Sequence, residues 1–418
     1  MRSVYILNGA RTAFAKIGSE FKDVSAVDLG RAATVEAMAR AGIEPKDVDQ
    51  VVMGNIATPV DAANIARIVA LRAGIPKERP AHSVSRNCAS GIESVVQGAR
   101  LIQTGEAEVV VAGGVENMTQ IPFIYRDSVK NVMARAGMAK TTGEKMSAFA
   151  GMPWKDLMNP IIGLTEGLKD PVCDLNMGQT AELLAREGKI SREEQDRYAL
   201  RSHLRAAAAK AKFQEEIVAV PVPPKYDTVL MNDNGIRENQ TAEALAKLKP
   251  YFDRRFGTVT AGNSSQITDG GAAVVLASEE FVKARGLKTL GRVASWGFGG
   301  LEPERMGLGP SRSTPQALKR AGLGMKDIGL IEMNEAFAAQ VLANLLAFAK
   351  DPELGPIDEE TLNVNGGAIA LGHPVGSSGT RLIYTLLREM RRRNVAHGLA
   401  TLCIGGGQGA SIILEATA

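Results

Sequence analysis

Ala37-Met-Ala-Arg-Ala-Gly-Ile-Glu-Pro-Lys-Asp-Val48 returns far downstream as Ala317-Leu-Lys-Arg-Ala-Gly-Leu-Gly-Met-Lys-Asp-Ile328. Gly42 pairs with Gly322, and Lys46-Asp47 with Lys326-Asp327. In each copy a helical pattern stops at the glycine, a short loop follows, and a β-rich run comes next, Val48 to Met53 and Ile328 to Met333. A repeat of this kind predicts one α/β unit used twice.

Working outward, Asn87-Cys-Ala-Ser-Gly91 opens an amphipathic helical run, Ile92 to Gln103, followed by an apolar strand, Glu108 to Ala112, and a Gly113-Gly114 turn. Gly376-Ser-Ser-Gly379 opens a second run, Thr380 to Arg393, followed by Leu399 to Ile404 and the turn Gly405-Gly-Gly407. Helices alternating with buried strands predict an α/β fold of two repeated halves, each a helix-covered mixed sheet. The stretch 119–250 breaks the pattern with scattered prolines, a run of methionines (Met133, Met138, Met146, Met152, Met158) and a long helix capped by Ser191-Arg-Glu-Glu194, expected from Arg192 to about Lys212. The expected organisation is a first half, 1–118 with 251–276, an inserted loop domain, 119–250, covering the active site, and a second half, 277–418. The methionines either line a flexible acyl pocket or fill gaps under long loops.

The composition suits a soluble protein: 45% hydrophobic and 23% charged residues over 418, enough to bury at least two cores. With 49 basic against 46 acidic residues, a net charge of +3 argues against a dedicated nucleic-acid surface. The one dense basic run, Arg391-Arg-Arg393, ends a helical pattern, where cations suit the dipole. Three cysteines at wide spacing suggest neither a disulfide framework nor a zinc site, and a reducing compartment is expected. The N-terminal apolar run is too short for a secretory signal and no window reaches the ~18 apolar residues of a spanning helix, so a cytoplasmic location is expected.

Among the titratable groups, Cys173 has no recurring frame and reads as an inert core thiol. Cys88 immediately precedes a helix, where free N–H groups and the dipole are expected to lower its pKa below the usual ~8.5. Ala89, Ser90 and Gly91 leave room for an acyl group on sulfur; on local grounds nucleophile and packed core thiol both stay open. His203, on a polar helix, and His397, beside a loop glycine, read as solvated or structural, and His82, in a strand-like stretch, as a packing residue. His373 is framed by glycines and by Pro374, a setting in which an imidazole can take the proton of a nearby thiol. Cys403-Ile-Gly-Gly-Gly-Gln-Gly409 does not fit a phosphate loop, since no Lys-Ser/Thr follows; its glycines suit N–H groups exposed to a developing oxyanion. Asn334-Glu-Ala-Phe337 alone suggests no more than a helix cap.

Asn-Cys-Ala-Ser-Gly, Asn-Glu-Ala-Phe-Ala, Gly-His-Pro-Val-Gly-Ser-Ser-Gly and Cys-Ile-Gly-Gly-Gly-Gln-Gly, in this order and spacing, resemble the thiolase family. The resemblance spans essentially the whole chain, including Thr258-Val-Thr-Ala-Gly-Asn-Ser-Ser265 and Met177-Gly-Gln-Thr-Ala-Glu182. It implies the thiolase fold and a CoA-dependent cleavage of 3-oxoacyl-CoA: Cys88 the nucleophile, His373 its base, Cys403 the second acid/base. By similarity His373 and a water on Asn334 serve one oxyanion, and the N–H groups of Cys88 and Gly405 the other. Ser265 is expected near the pantetheine of coenzyme A, Arg237 near the adenine, and Met177 and Phe337 beside the acyl site. Coenzyme A is implied as substrate, with no metal or redox cofactor. Asn176 stands where short-chain biosynthetic thiolases typically carry a histidine, and Gly163–Pro171 and Gln340–Asn344 look more like the degradative enzymes of fatty-acid β-oxidation. The alternatives are a biosynthetic acetoacetyl-CoA thiolase, a ketoacyl synthase, which normally has histidine or asparagine in place of Cys403, and a non-catalytic lipid- or CoA-binding relative, in which a catalytic group would be missing. The resemblance further implies a homodimer or homotetramer, and the likeness to oxidation-complex subunits a partner with hydratase and dehydrogenase activities.

Overall fold

The computed structural model describes residues 2–417. Its main strands are β1 (Val4–Thr12), β2 (Gln50–Gly54), β3 (Ala81–Val84), β4 (Val109–Glu116), β5 (Thr268–Ser278), β6 (Gly291–Gly300), β7 (Leu330–Met333), β8 (His397–Ile404) and β9 (Gln408–Ala416). The helices that build the site are α1 (Ala26–Ala41), α2 (Ser90–Thr104), α3 (Met177–Glu187), α4 (Arg192–Ala208), α5 (Gly309–Ala321), α6 (Ala338–Lys350) and α7 (Val375–Arg393).

The duplication is visible in the strand order, β3-β2-β4-β5-β1 continuing into β6-β9-β8-β7. In the first half β2 runs parallel to β3 and β4, and β4, β5 and β1 are antiparallel neighbours. In the second, β7 runs parallel to β8, and β8, β9 and β6 are antiparallel neighbours; a lone parallel bridge from Ile331 to Leu362 stands where β3 stands beside β2. Within the sheet the halves are joined where β1 pairs with β6, Tyr5 with Arg292 and Ile6 with Gly291. Both copies of the repeated segment fold alike. Gly42 and Gly322 end their helices at φ 68° and 69°, the left-handed conformation that spares glycine a Cβ clash. The repeated aspartates explain themselves: Asp47 accepts the N–H of Glu44 at 3.1 Å, and Asp327 that of Gly324 at 2.8 Å, closing one 3-10 turn in each copy.

Alternation along the strands sorts the side chains into layers. Val51, Val109, Val111 and Val275 face α1, whereas Val52, Val110, Ala112 and Val274 face inward onto α2 and α7. Ala400, Leu402 and Ile412 of the second half meet the same two helices from the other side, and Leu399 and Ile413 point outward to α5 and α6. The two central helices cross at glycines: a Cβ on Gly91 would lie 2.6 Å from the nitrogen of Thr380, and one on Gly379 2.5 Å from that of Ile92.

Several expectations are corrected. Gly113 and Gly114 are not a turn; β4 runs on to Glu116, because a Cβ at Gly113 would strike the carbonyl oxygen of Ala272 at 2.4 Å and only glycine lets the strands pair there. The capped helix begins at Arg192 as expected but ends at Ala208, with a separate turn over Lys210–Gln214. Met133, Met138, Met146 and Met158 are exposed on or beside the short helices after Phe123, so they do not fill gaps under a loop; of the five only Met152 is buried, in a small cluster with Val129 and Val132. Cys173 is half-buried in a turn rather than in the core, and of the two readings of His203, solvated or structural, its full burial fits the structural one. His82 lies in β3 beside the Gln50 amide, and the arginines ending α7 pair with Glu215 and Glu389, as a structural role requires.

The Gly379→Ala variant should lose about 1–3 kcal/mol of stability, the typical cost of overpacking, because its neighbours at the crossing are backbone atoms. Urea unfolding measures this, and an unchanged midpoint would refute the crossing as described.

Candidate functional site

Cys88 sits on the turn between β3 and α2, partly exposed, just past Asn87, whose φ is 42°. The turn is held from inside by Ser90, whose Oγ donates to the Asn87 carbonyl at 2.8 Å and accepts the Arg86 N–H at 2.8 Å. Asn87 reaches across to the other half, its Nδ2 donating to the Gly405 carbonyl at 2.8 Å. That bond holds the Gly405 peptide against the turn that carries Cys88, and the backbone N–H groups of Gly405 and of Cys88 itself act to lower the thiol's pKa.

His373 is 8% exposed, between Gly372 and the first turn of α7. Its N–H donates to the Gln266 carbonyl at 3.0 Å. Ser378 Oγ lies 2.6 Å from Nδ1 and 2.9 Å from the Pro374 carbonyl. A hydroxyl that donates to Pro374 receives the Nδ1 proton, leaving Nε2 unprotonated and able to accept a proton. Asn334 Nδ2 stands 3.4 Å from Nε2, and Asn334 Oδ1 is buried with no protein partner. Asn334 is placed by its N–H bond to the Thr401 carbonyl at the end of β7.

Cys403, next to last in β8, is 1% exposed and packs with Ala336, Phe337, Met306 and Met177 in an apolar cluster. The Phe337 ring meets Phe252 edge-on at 6.0 Å, and Met177 reaches toward Gly405. Ser265 is half-buried beside this cluster, its N–H donating to the Ala336 carbonyl at 2.9 Å. Arg237 is exposed and touches none of these groups; its N–H donates to buried His203 Nδ1.

The electrostatics amend one expectation. Burial pushes the Cys88 thiol up, outweighing the two N–H donors that pull it down, so the resting group is a thiol and not a helix-stabilised thiolate. Burial, with Arg381 adding to it, holds the His373 imidazole down to about 4, so it is neutral and able to accept a proton over the physiological range. Cys403 is pushed up, first by burial and then by Cys88 beside it, and keeps its proton until a strong base appears.

Residues missed at the sequence level are Ser378, Asn87 and Gln266. Ser378 lay inside the Gly-Ser-Ser-Gly frame; Gln266 follows Ser265 and bridges three segments, donating to the carbonyls of Gly235 and Ile369 while its own carbonyl holds His373.

Residues 4–280 match the thiolase N-terminal domain family and residues 287–416 the thiolase C-terminal domain family. The chain therefore belongs to the thiolase family. It is 39% identical to the 3-ketoacyl-CoA thiolase of Photorhabdus laumondii, over 99% of this chain and 96% of that protein, and 40% identical to that of Shewanella halifaxensis over the same shares. Among solved structures it resembles human mitochondrial 3-ketoacyl-CoA thiolase, with 39% identity and TM-score 0.89 over 100% of this chain and 99% of that one. It also resembles Bacillus anthracis acetyl-CoA acetyltransferase, with 37% identity and TM-score 0.89 over the same shares.

Alkylation of Cys88 by iodoacetamide should be slow at neutral pH and rise with an inflection above the ordinary thiol value of ~8.5. The sign follows from the raised thiol, since the reactive thiolate appears only as pH climbs through its pKa. Rapid alkylation at pH 6 would contradict a resting thiol.

Proposed function

We propose that this chain catalyses the CoA-dependent thiolytic cleavage of 3-oxoacyl-CoA to acetyl-CoA and a shortened acyl-CoA. The observation that carries it is a pair of neighbouring thiols, Cys88 partly exposed and Cys403 buried, with a neutral imidazole at the start of the helix that crosses α2. Cys88 gives its proton to His373 Nε2 as sulfur attacks C3 of the substrate, and the alkoxide is met by the N–H groups of Cys88 and Gly405. Collapse breaks the C2–C3 bond and leaves an acyl thioester on Cys88. The departing acetyl-CoA enolate is met by His373, now protonated, and by a water on Asn334 Oδ1, and takes its carbon-bound proton from Cys403. Incoming CoA returns a proton to Cys403 as its sulfur takes the acyl group, and Cys88 recovers its own from His373. Coenzyme A is a substrate, and no step calls on a metal or redox cofactor.

Cys403 is a thiol where a ketoacyl synthase normally has histidine or asparagine, and every group of the cycle is present, unlike in a binding protein. Asn176 is engaged in capping α3, its Oδ1 accepting the Gln179 N–H at 2.9 Å, in the place where short-chain enzymes typically carry histidine. With the names of the relatives, this favours medium or long acyl chains and a place in fatty-acid β-oxidation over acetoacetyl-CoA synthesis, toward which the Bacillus likeness points. Ser265 and Arg237 are assigned to the pantetheine and the adenine of coenzyme A, Met177 and Phe337 to the acyl group, and 119–250 to an inserted domain over the site.

The decisive assay is thiolysis of 3-oxoacyl-CoA substrates of graded chain length. Activity should rise with length and vanish in Cys88→Ala, whereas Cys403→Ala should still acylate Cys88 from acyl-CoA but fail to cleave the carbon–carbon bond. A folded protein inactive on every length sinks the proposal, and activity confined to acetoacetyl-CoA moves it to the short-chain enzymes.

A cytoplasmic homodimer or homotetramer is part of the same proposal. Among the described residues no helix is long and apolar enough to cross a membrane. Phe123, Ile124, Trp154 and Ile162 lie exposed together with the methionines of the same segment, a surface suited to a second copy. Light scattering on the purified enzyme should give a multiple of 44.3 kDa; a monomer overturns it. A hydratase- and dehydrogenase-bearing partner is proposed on likeness alone, and purification of a fully active thiolase with nothing copurifying would remove it.

A further inference from the structure

Glu116, the last residue of β4, is 1% exposed and has no cation beside it. Its carboxylate instead accepts four N–H bonds. Oε1 takes Asn55 Nδ2 at 3.0 Å and the N–H of Ala57 at 2.7 Å; Oε2 takes the N–H of Ile56 at 3.2 Å and that of Gly376 at 2.8 Å. Three of the donors belong to the loop after β2 in the first half. The fourth belongs to the first turn of α7 in the second half, three residues from His373.

We propose that Glu116 is the positioning residue of the thiol–imidazole pair, a clamp that ties the turn carrying His373 to the half of the molecule carrying Cys88. This turn has two polar ties to the first half, the Gln266 carbonyl on the His373 N–H and the Glu116 carboxylate on the Gly376 N–H. At the point of contact a Cβ on Gly114 would lie 1.9 Å from the Gly376 carbonyl, and one on Gly376 would lie 2.7 Å from Glu116 Oε2, so backbone meets backbone with only the carboxylate spanning the two. The carboxylate also acts on the thiol itself: its charge adds to the burial that keeps Cys88 protonated at rest. A buried carboxylate is costly, and burial pushes this one up to about 7 while the N–H groups of Ala57, Gly376 and Ile56 pull it back. An acceptor-only group meets four donors without conflict. A carboxamide cannot, because one of its ends presents N–H to two of them.

The inference rests on the proposed thiolytic cycle. Wild-type enzyme without thiolysis overturns that cycle and this inference together; an active wild type with an indifferent Glu116 overturns this inference alone. In Glu116→Gln, kcat should fall by about tenfold or more, the loss expected for charge-assisted hydrogen bonds, with KM within about twofold. The rate of Cys88 acylation in a rapid-quench single turnover should fall in step with kcat. Glu116→Asp keeps the charge but withdraws it by one methylene, and should show the same split of kcat from KM. An unchanged kcat overturns the inference, as does a parallel loss in kcat and KM with a lowered melting temperature. Failure of both variants to fold makes Glu116 a structural residue and overturns it as well.

Discussion

Everything in the site depends on the close crossing of α2 and α7. Gly91 and Gly379 allow the backbones of two helices to touch, and Thr380 Oγ1 donates to the Gly91 carbonyl at 3.1 Å across the contact. Any side chain at either glycine would hold the helices apart by at least its own width. The helix starts carry Cys88 and the His373 turn, so the separation of the thiol from the imidazole is set by the absence of two Cβ atoms. Packing, and not a flexible loop, fixes the reacting groups.

Around that crossing the chain holds an unusual weight of buried charge. Arg11, fully buried, pairs with Glu216 at 2.8 Å and Asp233 at 2.8 Å and lies over the rings of Phe14 and Phe213. Arg381 pairs with Glu332 at 2.9 Å beneath His373, and Glu335 accepts Tyr198, Ser202, Asn363 and the Ile369 N–H. Such pairs contribute little net stability, since desolvation offsets most of the attraction, but removing one partner leaves a buried charge and is severe. They therefore specify geometry. Arg11 ties β1 to Glu216 and Asp233, Glu335 ties the chain after β7 to α4, and Arg381 ties α7 to β7 and also helps to keep His373 neutral.

Much of this was legible in the sequence because it is local or repeated. Gly42 and Gly322, the alternating valines of β4 and the capping box at Ser191 announce their conformations within a few residues. The candidate site groups were legible as frames, Asn-Cys-Ala-Ser-Gly and Gly-His-Pro, because small residues crowd around the thiol and the imidazole. What escaped depends on contacts between distant segments. Gly113-Gly114 looks like a turn until the opposing strand is in place, and the helix dipole promises a thiolate at Cys88 until burial is weighed against it. The exposed methionines escaped for another reason: an apolar side chain on a short helix reads as core unless the surface it faces is known.

The duplication carries a last consequence. Counting from the paired glycines of the crossing, Cys88 in one copy corresponds to Gly376 in the other, His373 to Ser85, and Cys403 to Val115. Each reactive group thus has a blank counterpart in the twin half. Two identical half-length chains joined about an axis would carry identical residues at both places, and would crowd nucleophile, base and acid together twice over. Covalent linkage of the copies removes that symmetry requirement. In the proposed cycle one half then supplies the sulfur that holds the acyl group and the other handles the protons, so that the molecule is symmetric in its architecture and asymmetric in its labour.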